Sequence, residues 1–122
     1  MSARRWRADS GVATIAACLA LTGLLAVSVL IGQVGAVVVA RHRAQAAADL
    51  SALAAAGAVD SGAEAACARA REIAAAMRVG VRFCTITGWD ATLIVESRVT
   101  AGPLGTHTVR AVARAGPVDD NS

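Results

Sequence analysis

The run from Gly11 to Ala40, thirty residues without one Asp, Glu, Lys, Arg or His, limits what this chain can become more than any other feature. A helix of that length measures ~45 Å, whereas the hydrocarbon core of a bilayer is ~30 Å thick. Leu19, Leu21, Leu24, Leu25, Val27, Leu30, Ile31, Val34 and Val37 to Val39 spread apolar bulk around its whole circumference. No polar side is left to face water or to lie on a membrane surface. The reading is a transmembrane helix over residues 11–40.

A cleaved signal peptide fits less well, because its apolar region runs ~7 to 15 residues. Ile15-Ala16-Ala17-Cys18 matches a lipobox in its letters. Few residues separate it from Gly11 and the apolar run continues long past it, so Cys18 reads as a small membrane cysteine. Ser28, Gly32, Ala36 and Ala40 recur every fourth residue and form a stripe of small side chains, with the amide of Gln33 beside it. Such stripes let helices approach closely in lipid and amides bond across them, although small residues are abundant enough here to align by chance.

The net charge of +3 invites a nucleic-acid reading, which the distribution removes. Arg4, Arg5 and Arg7 stand against Asp9 before the span, while the nine Arg after Ala40 meet eight acids. The excess is largely a basic N-terminal tip, residues 1–10, with Trp6 where an interfacial aromatic belongs. That pattern favours a single-pass protein of the cell membrane with the N-terminus cytoplasmic and the rest extracytoplasmic. Arg41 and Arg43 then hold the exit depth at the headgroups.

The residues beyond the span suffice for one small domain. Ala-rich residues 41–60 continue the helix as a stem to about Gly57, and Asp60-Ser61-Gly62 break it. Ser61 and Glu64 have the spacing of a capping box, opening a helix over about 62–77 that places Ala66, Ala70, Ile73 and Met77 on one face, flanked by Cys67 and Ala74. Residues 81–87, 92–100 and 106–113 are β-rich, with turns at Gly88-Trp89-Asp90 and Gly102-Pro103-Leu104-Gly105. Leu93, Val95 and Val99 alternate with polar residues, and Ile94 breaks the alternation on the polar side. The expected fold is α+β: a long N-terminal helix, then a head over residues 61–115 in which a helix packs on a three-stranded antiparallel sheet. Residues 116–122 read as a disordered tail.

Cys67 and Cys84 both fall in the head. An oxidising compartment would join them, closing a loop worth ~3 kcal/mol; the other reading is two buried thiols. His42 sits between two Arg at the membrane exit and His107 opens an edge-like strand. No CxxC, HExxH, Gly-rich phosphate loop or Gly-x-Ser-x-Gly is present, and Asp119-Asp120 lie in the tail. The residues give no catalytic, cofactor or metal set, and no small-molecule substrate or nucleic acid is expected.

Gly11 opening the apolar run, Gly32-Gln33-Val34-Gly35 near its end and Ala-Arg-His-Arg-Ala-Gln-Ala-Ala-Ala-Asp-Leu from Ala40 to Leu50, inside a stretch that ends at Ala56, carry a resemblance. Residues 11–56 resemble the N-terminal segment of TadE/TadG-like pilus-assembly proteins of the Flp, or tight-adherence, system, and the whole chain is similar to a short actinobacterial TadE-like subgroup. The resemblance implies a non-catalytic, minor-pilin-like or accessory subunit of a Flp/Tad-type pilus or secretion apparatus, a reduced pilin-like head, and membrane subunits of that apparatus as partners. Pilin-like precursors are cut after a Gly with Glu at the fifth mature position. Gly11-Val12 is the corresponding processing site here, and Ala16 stands where the Glu would. A membrane-tethered envelope binding or scaffolding module outside any pilus is the second reading.

Overall fold

A computed structural model describes residues 2–100 and 102–118. Helix α1 covers Ser2–Ala56. No Pro interrupts it and Ala dominates its last third, so it runs to the place where Gly57 was expected to end it. Among the described residues it is the one helix long and apolar enough to cross a membrane, with a mean hydropathy of 2.4 over its most apolar 18 residues, none of them buried. Contacts divide the chain into two units, Met1–Gly35 and Ala36–Ser122, and α1 contributes to both.

The second unit adds a 3-10 turn (Val59–Ser61), helix α2 (Ala63–Ala76) and strands β1 (Gly80–Thr87), β2 (Asp90–Thr100) and β3 (Thr106–Ala115). The strands form an antiparallel meander in the order β1-β2-β3. Thr87 pairs with Asp90 across a two-residue loop. Gly88, with φ +61°, takes its first position, where a tight hairpin requires the left-handed region that glycine enters without a Cβ penalty. A bulge at Arg82 shifts the β1 register between Val81 and Phe83. That extra residue keeps Val81, Cys84 and Ile86 on the inner face of the sheet, opposite Val95, Leu93 and Ala91.

The core is narrow. Leu93, Val95 and Ser51 are its largest fully buried side chains, joined by Ala91, Ala111 and Ala113 from the sheet, Ala66 and Ala70 from α2, and Ala44, Ala48, Ala52 and Ala55 from α1. The sheet was expected to have one helical partner and has two, because residues 44–55 turn an alanine face toward it. Alanine lets backbones approach closely, and this face makes the stem a wall of the head. Gln45 fixes the contact by donating from Nε2 to the Val112 carbonyl on the edge strand (3.3 Å) and to Asp49 (3.1 Å). The buried Ser51 hydroxyl has no hydrogen-bond partner among the described residues.

The expected capping box does not form. Gly62, at φ +100°, is the N-cap of α2 and no side chain caps the helix. Ser61 closes the preceding 3-10 turn, its N–H donating to the Ala58 carbonyl (3.0 Å), and the turn displaces its hydroxyl from the cap position. At the other end, the Val79 N–H donates to Ala74 and the Arg78 N–H to Ala75, both at 3.0 Å. These are the paired bonds of a Schellman ending. Arg78 occupies its left-handed position, with φ +60°, where glycine is the low-energy residue.

Candidate membrane and assembly surfaces

Within α1, every described residue from Asp9 to Gly32 is exposed. The hydroxyls of its uncharged run are satisfied within the helix: Thr14, Thr22 and Ser28 donate to the carbonyls of Ser10, Cys18 and Leu24 at 2.8 to 2.9 Å. A helix surrounded by hydrocarbon requires such internal bonds, because lipid supplies none. Gln33 is half-buried and makes no hydrogen bond within the described residues. Ser28, Gly32 and Ala36 are exposed, and Ala40 is half-buried. A Cβ added at Gly32 would meet nothing within 4 Å, so packing inside the chain does not require glycine there. Gly11 and Val12 lie on the exposed helix, and Cys18 is free and exposed.

The outward face of the sheet is set by the register. Phe83, Ile94 and Val112 are cross-strand partners and form one apolar row, with Phe83 50% and Val112 58% exposed. This row was missed in the sequence, although Ile94 on the polar side of β2 was its signal. Beside it Glu96 joins Arg82 on β1 (3.5 Å) and Arg110 on β3 (3.3 Å), and Asp90 pairs with Arg114. The hydrogen bond that Arg114 donates to Asp90, then the carboxylate's charge, raises the Arg114 pKa above its ordinary value. A raised folded-state value means that this pair's contribution is complete below the ordinary arginine pKa and fades only as pH climbs through the folded value.

Two of the shallow grooves among the described residues lie in the second unit. One, of about 450 Å³, is lined by Leu53, Ala56, Trp89, Ala115, Gly116 and Pro117. The other, of about 470 Å³, is lined by Val38, Val39, His42, Arg43, Ala46 and Met77. Arg43 is therefore a groove residue, while Arg41 is exposed outside it. His107 is exposed on β3 opposite Val99 and does not meet His42 in either groove. Among the described residues no three of His, Cys, Asp and Glu come together as a metal set; Asp119 and Asp120 lie outside the described residues.

Cys67 of α2 and Cys84 of β1 are joined as a disulfide, with their Cα atoms 5.9 Å apart. The bond pins α2 to the sheet.

Residues 11–70 match the family model for Flp pilus-assembly TadE/G-like proteins. The match covers the apolar run, the stem and the first half of α2. A Mycobacterium tuberculosis protein named as an apoptosis inhibitor is 60% identical over 52 residues, covering 43% of this chain and 62% of the relative. The chain thus spans less than two thirds of that relative's length. No solved structure matches.

Proposed function

We propose, from the chain's membership through residues 11–70 of the TadE/G-like family of Flp pilus-assembly proteins, that it is a non-catalytic, single-pass membrane subunit of a Flp/Tad-type pilus or secretion apparatus, minor-pilin-like or accessory in role. The observation that carries this reading is the coincidence of the family match with α1. The matched segment begins at Gly11, where the uncharged run begins, and ends within α2. Its work is mechanical. Residues 11–40 cross the bilayer and pack against other membrane helices through Ser28, Gly32, Ala36 and Ala40, with the Gln33 amide bonding across the contact. Arg41 and Arg43 set the exit depth, and the second unit presents the head on the extracytoplasmic side. The Cys67–Cys84 disulfide supports that orientation, since such bonds persist in oxidising compartments.

The test is recovery of the full chain from membranes of its native host. Retention after alkaline carbonate washing, co-purification with the pilus ATPase or platform proteins, and unreactive Cys67 and Cys84 beside a reactive Cys18 are expected. An intact mass lacking residues 1–11 would add pilin-like processing between Gly11 and Val12. Membrane retention without pilus components would favour the envelope scaffold instead. Three reactive thiols would reverse the orientation.

A further inference from the structure

The groove at His42 and Arg43 lies where α1 leaves its uncharged run. On α1, Val39, His42, Arg43 and Ala46 have the i, i+3, i+4, i+7 spacing of one helix face, and Val38 and Val39 are the last bulky residues of the uncharged run. Met77, half-buried at the end of α2, closes the far side. Its wall is almost entirely apolar surface, to which His42 and Arg43 lend their carbon atoms, and along α1 the residues pass from valine to His42 and Arg43 within one helical turn. That sequence of surroundings matches the upper acyl chain and phosphate of a membrane lipid.

The charge there is uncompensated. Arg69, Arg82, Arg110 and Arg114 each have a carboxylate partner, whereas Arg41, His42 and Arg43, like Arg71, Arg78 and Arg98, have none among the described residues, and Arg41 to Arg43 are the three that stand together at the end of the uncharged run. The next acid along α1, Asp49, accepts a hydrogen bond from Gln45, and Glu72 on α2 is paired with Arg69. A further cation follows Met77 directly: Arg78 holds the left-handed helix-ending position at φ +60°, where glycine would cost less. Like Arg43, Arg78 is exposed and has no carboxylate partner among the described residues.

We propose that this groove seats an anionic phospholipid, its phosphate against Arg43 and His42 and its upper acyl chain against Val38, Val39 and Met77. The inference rests on α1 spanning a bilayer. A lipid held there fixes the exit depth of α1 and fills the apolar space beside Met77. Arg78 adds to the positive potential that draws the headgroup.

The experiment titrates the full chain in detergent micelles with phosphatidylglycerol or phosphatidylcholine and counts retained lipid by native mass spectrometry. Retention of phosphatidylglycerol at about fivefold lower concentration is expected, the scale of one basic side chain at an anionic surface. Arg43→Gln should abolish the preference, Arg78→Gly should weaken it, and Arg98→Gln, on the exposed part of β2, should leave it intact. Because glycine relieves the strain at position 78, Arg78→Gly keeps or raises thermal stability, so its loss of binding cannot be ascribed to unfolding. Equal retention of the two lipids, or a preference that survives Arg43→Gln, would overturn the inference while leaving the anchor in place. Displacement of phosphatidylglycerol by inorganic phosphate would overturn the lipid assignment. Release of the wild type from membranes by alkaline carbonate would remove the anchor reading itself, a result separate from the others.

Discussion

The same residue types stand in both units of the chain and do different work. Ala26 is exposed on α1, while Ala48 on the same helix is fully buried. Ser28 bonds its own helix and Ser51 has no hydrogen-bond partner among the described residues; Cys18 is free and Cys67 is half of a disulfide. The first unit surrounds its small residues with Leu, Val and Ile on every side, and so has no face on which a protein core could close. In the second, small residues are collected on one face of α1 and one of α2, and the sheet closes over them. Hydropathy states which solvent a helix suits, whereas side-chain size and its placement decide whether a core can form.

The largest test of that contrast is the cysteine pair. With Leu93 and Val95 the only bulky, fully buried hydrophobic residues among those described, the head depends on a covalent staple. Replacing Cys67 and Cys84 together by Ser should lower its stability by about 3 kcal/mol, the chain-entropy value for a loop of this size. Cys18→Ser should change nothing. Urea unfolding of the full chain in micelles, followed through Trp89 fluorescence, measures both, and equal effects from the two cysteine classes would erase the distinction.

Alanine comes next. Ala48→Leu forces three extra carbons between α1 and the sheet and should cost about 1 to 3 kcal/mol of head stability, seen as a lower urea midpoint with an unchanged slope. Ala26→Leu, where nothing inside the chain is displaced, should leave the midpoint alone. A silent Ala48→Leu would show that the stem does not close the core.

Much of this was legible in the residues. The uncharged run, the helix ending before Gly57, α2 and the three-stranded meander are all set by period, glycine placement and β-branched content. The Cys67–Cys84 disulfide was one of two readings and is the one found. The second role of α1 was not legible: an unbroken alanine tract reads as helix propensity, and propensity does not say which face will be covered. The capping box failed for a local reason, since a 3-10 turn took Ser61 before the helix began. The outer row of Phe83, Ile94 and Val112 and the His42–Arg43 groove depend on register and on the approach of α2, which no single stretch of sequence carries.

The serines reverse the sign. Burying a hydroxyl without a partner costs about 1 to 3 kcal/mol, so Ser51→Ala should stabilise the head by about 1 kcal/mol and raise its urea midpoint. Ser28→Ala should have no effect on that midpoint, because its hydroxyl already bonds Leu24 on an exposed face. A destabilised Ser51→Ala protein would mean that the hydroxyl has a partner in solution.

The smallest effect belongs to the charges. Glu96 bridges Arg82 and Arg110 across all three strands, yet those two arginines are 70% and 64% exposed, so water and salt already screen much of the attraction. Pairs of this kind contribute about 0.2 to 1 kcal/mol, less than the alanine contact that carries no charge. Glu96→Gln should therefore lower head stability by a few tenths of a kcal/mol at low ionic strength, and the difference from wild type should shrink in high salt. The comparison with Ala48→Leu then has a definite order: a methyl surface buried to closure outweighs an ion pair left in water. A Glu96→Gln loss larger than that of Ala48→Leu would invert it, making the outer face of the sheet, and not its alanine-lined inner face, the principal support of the fold.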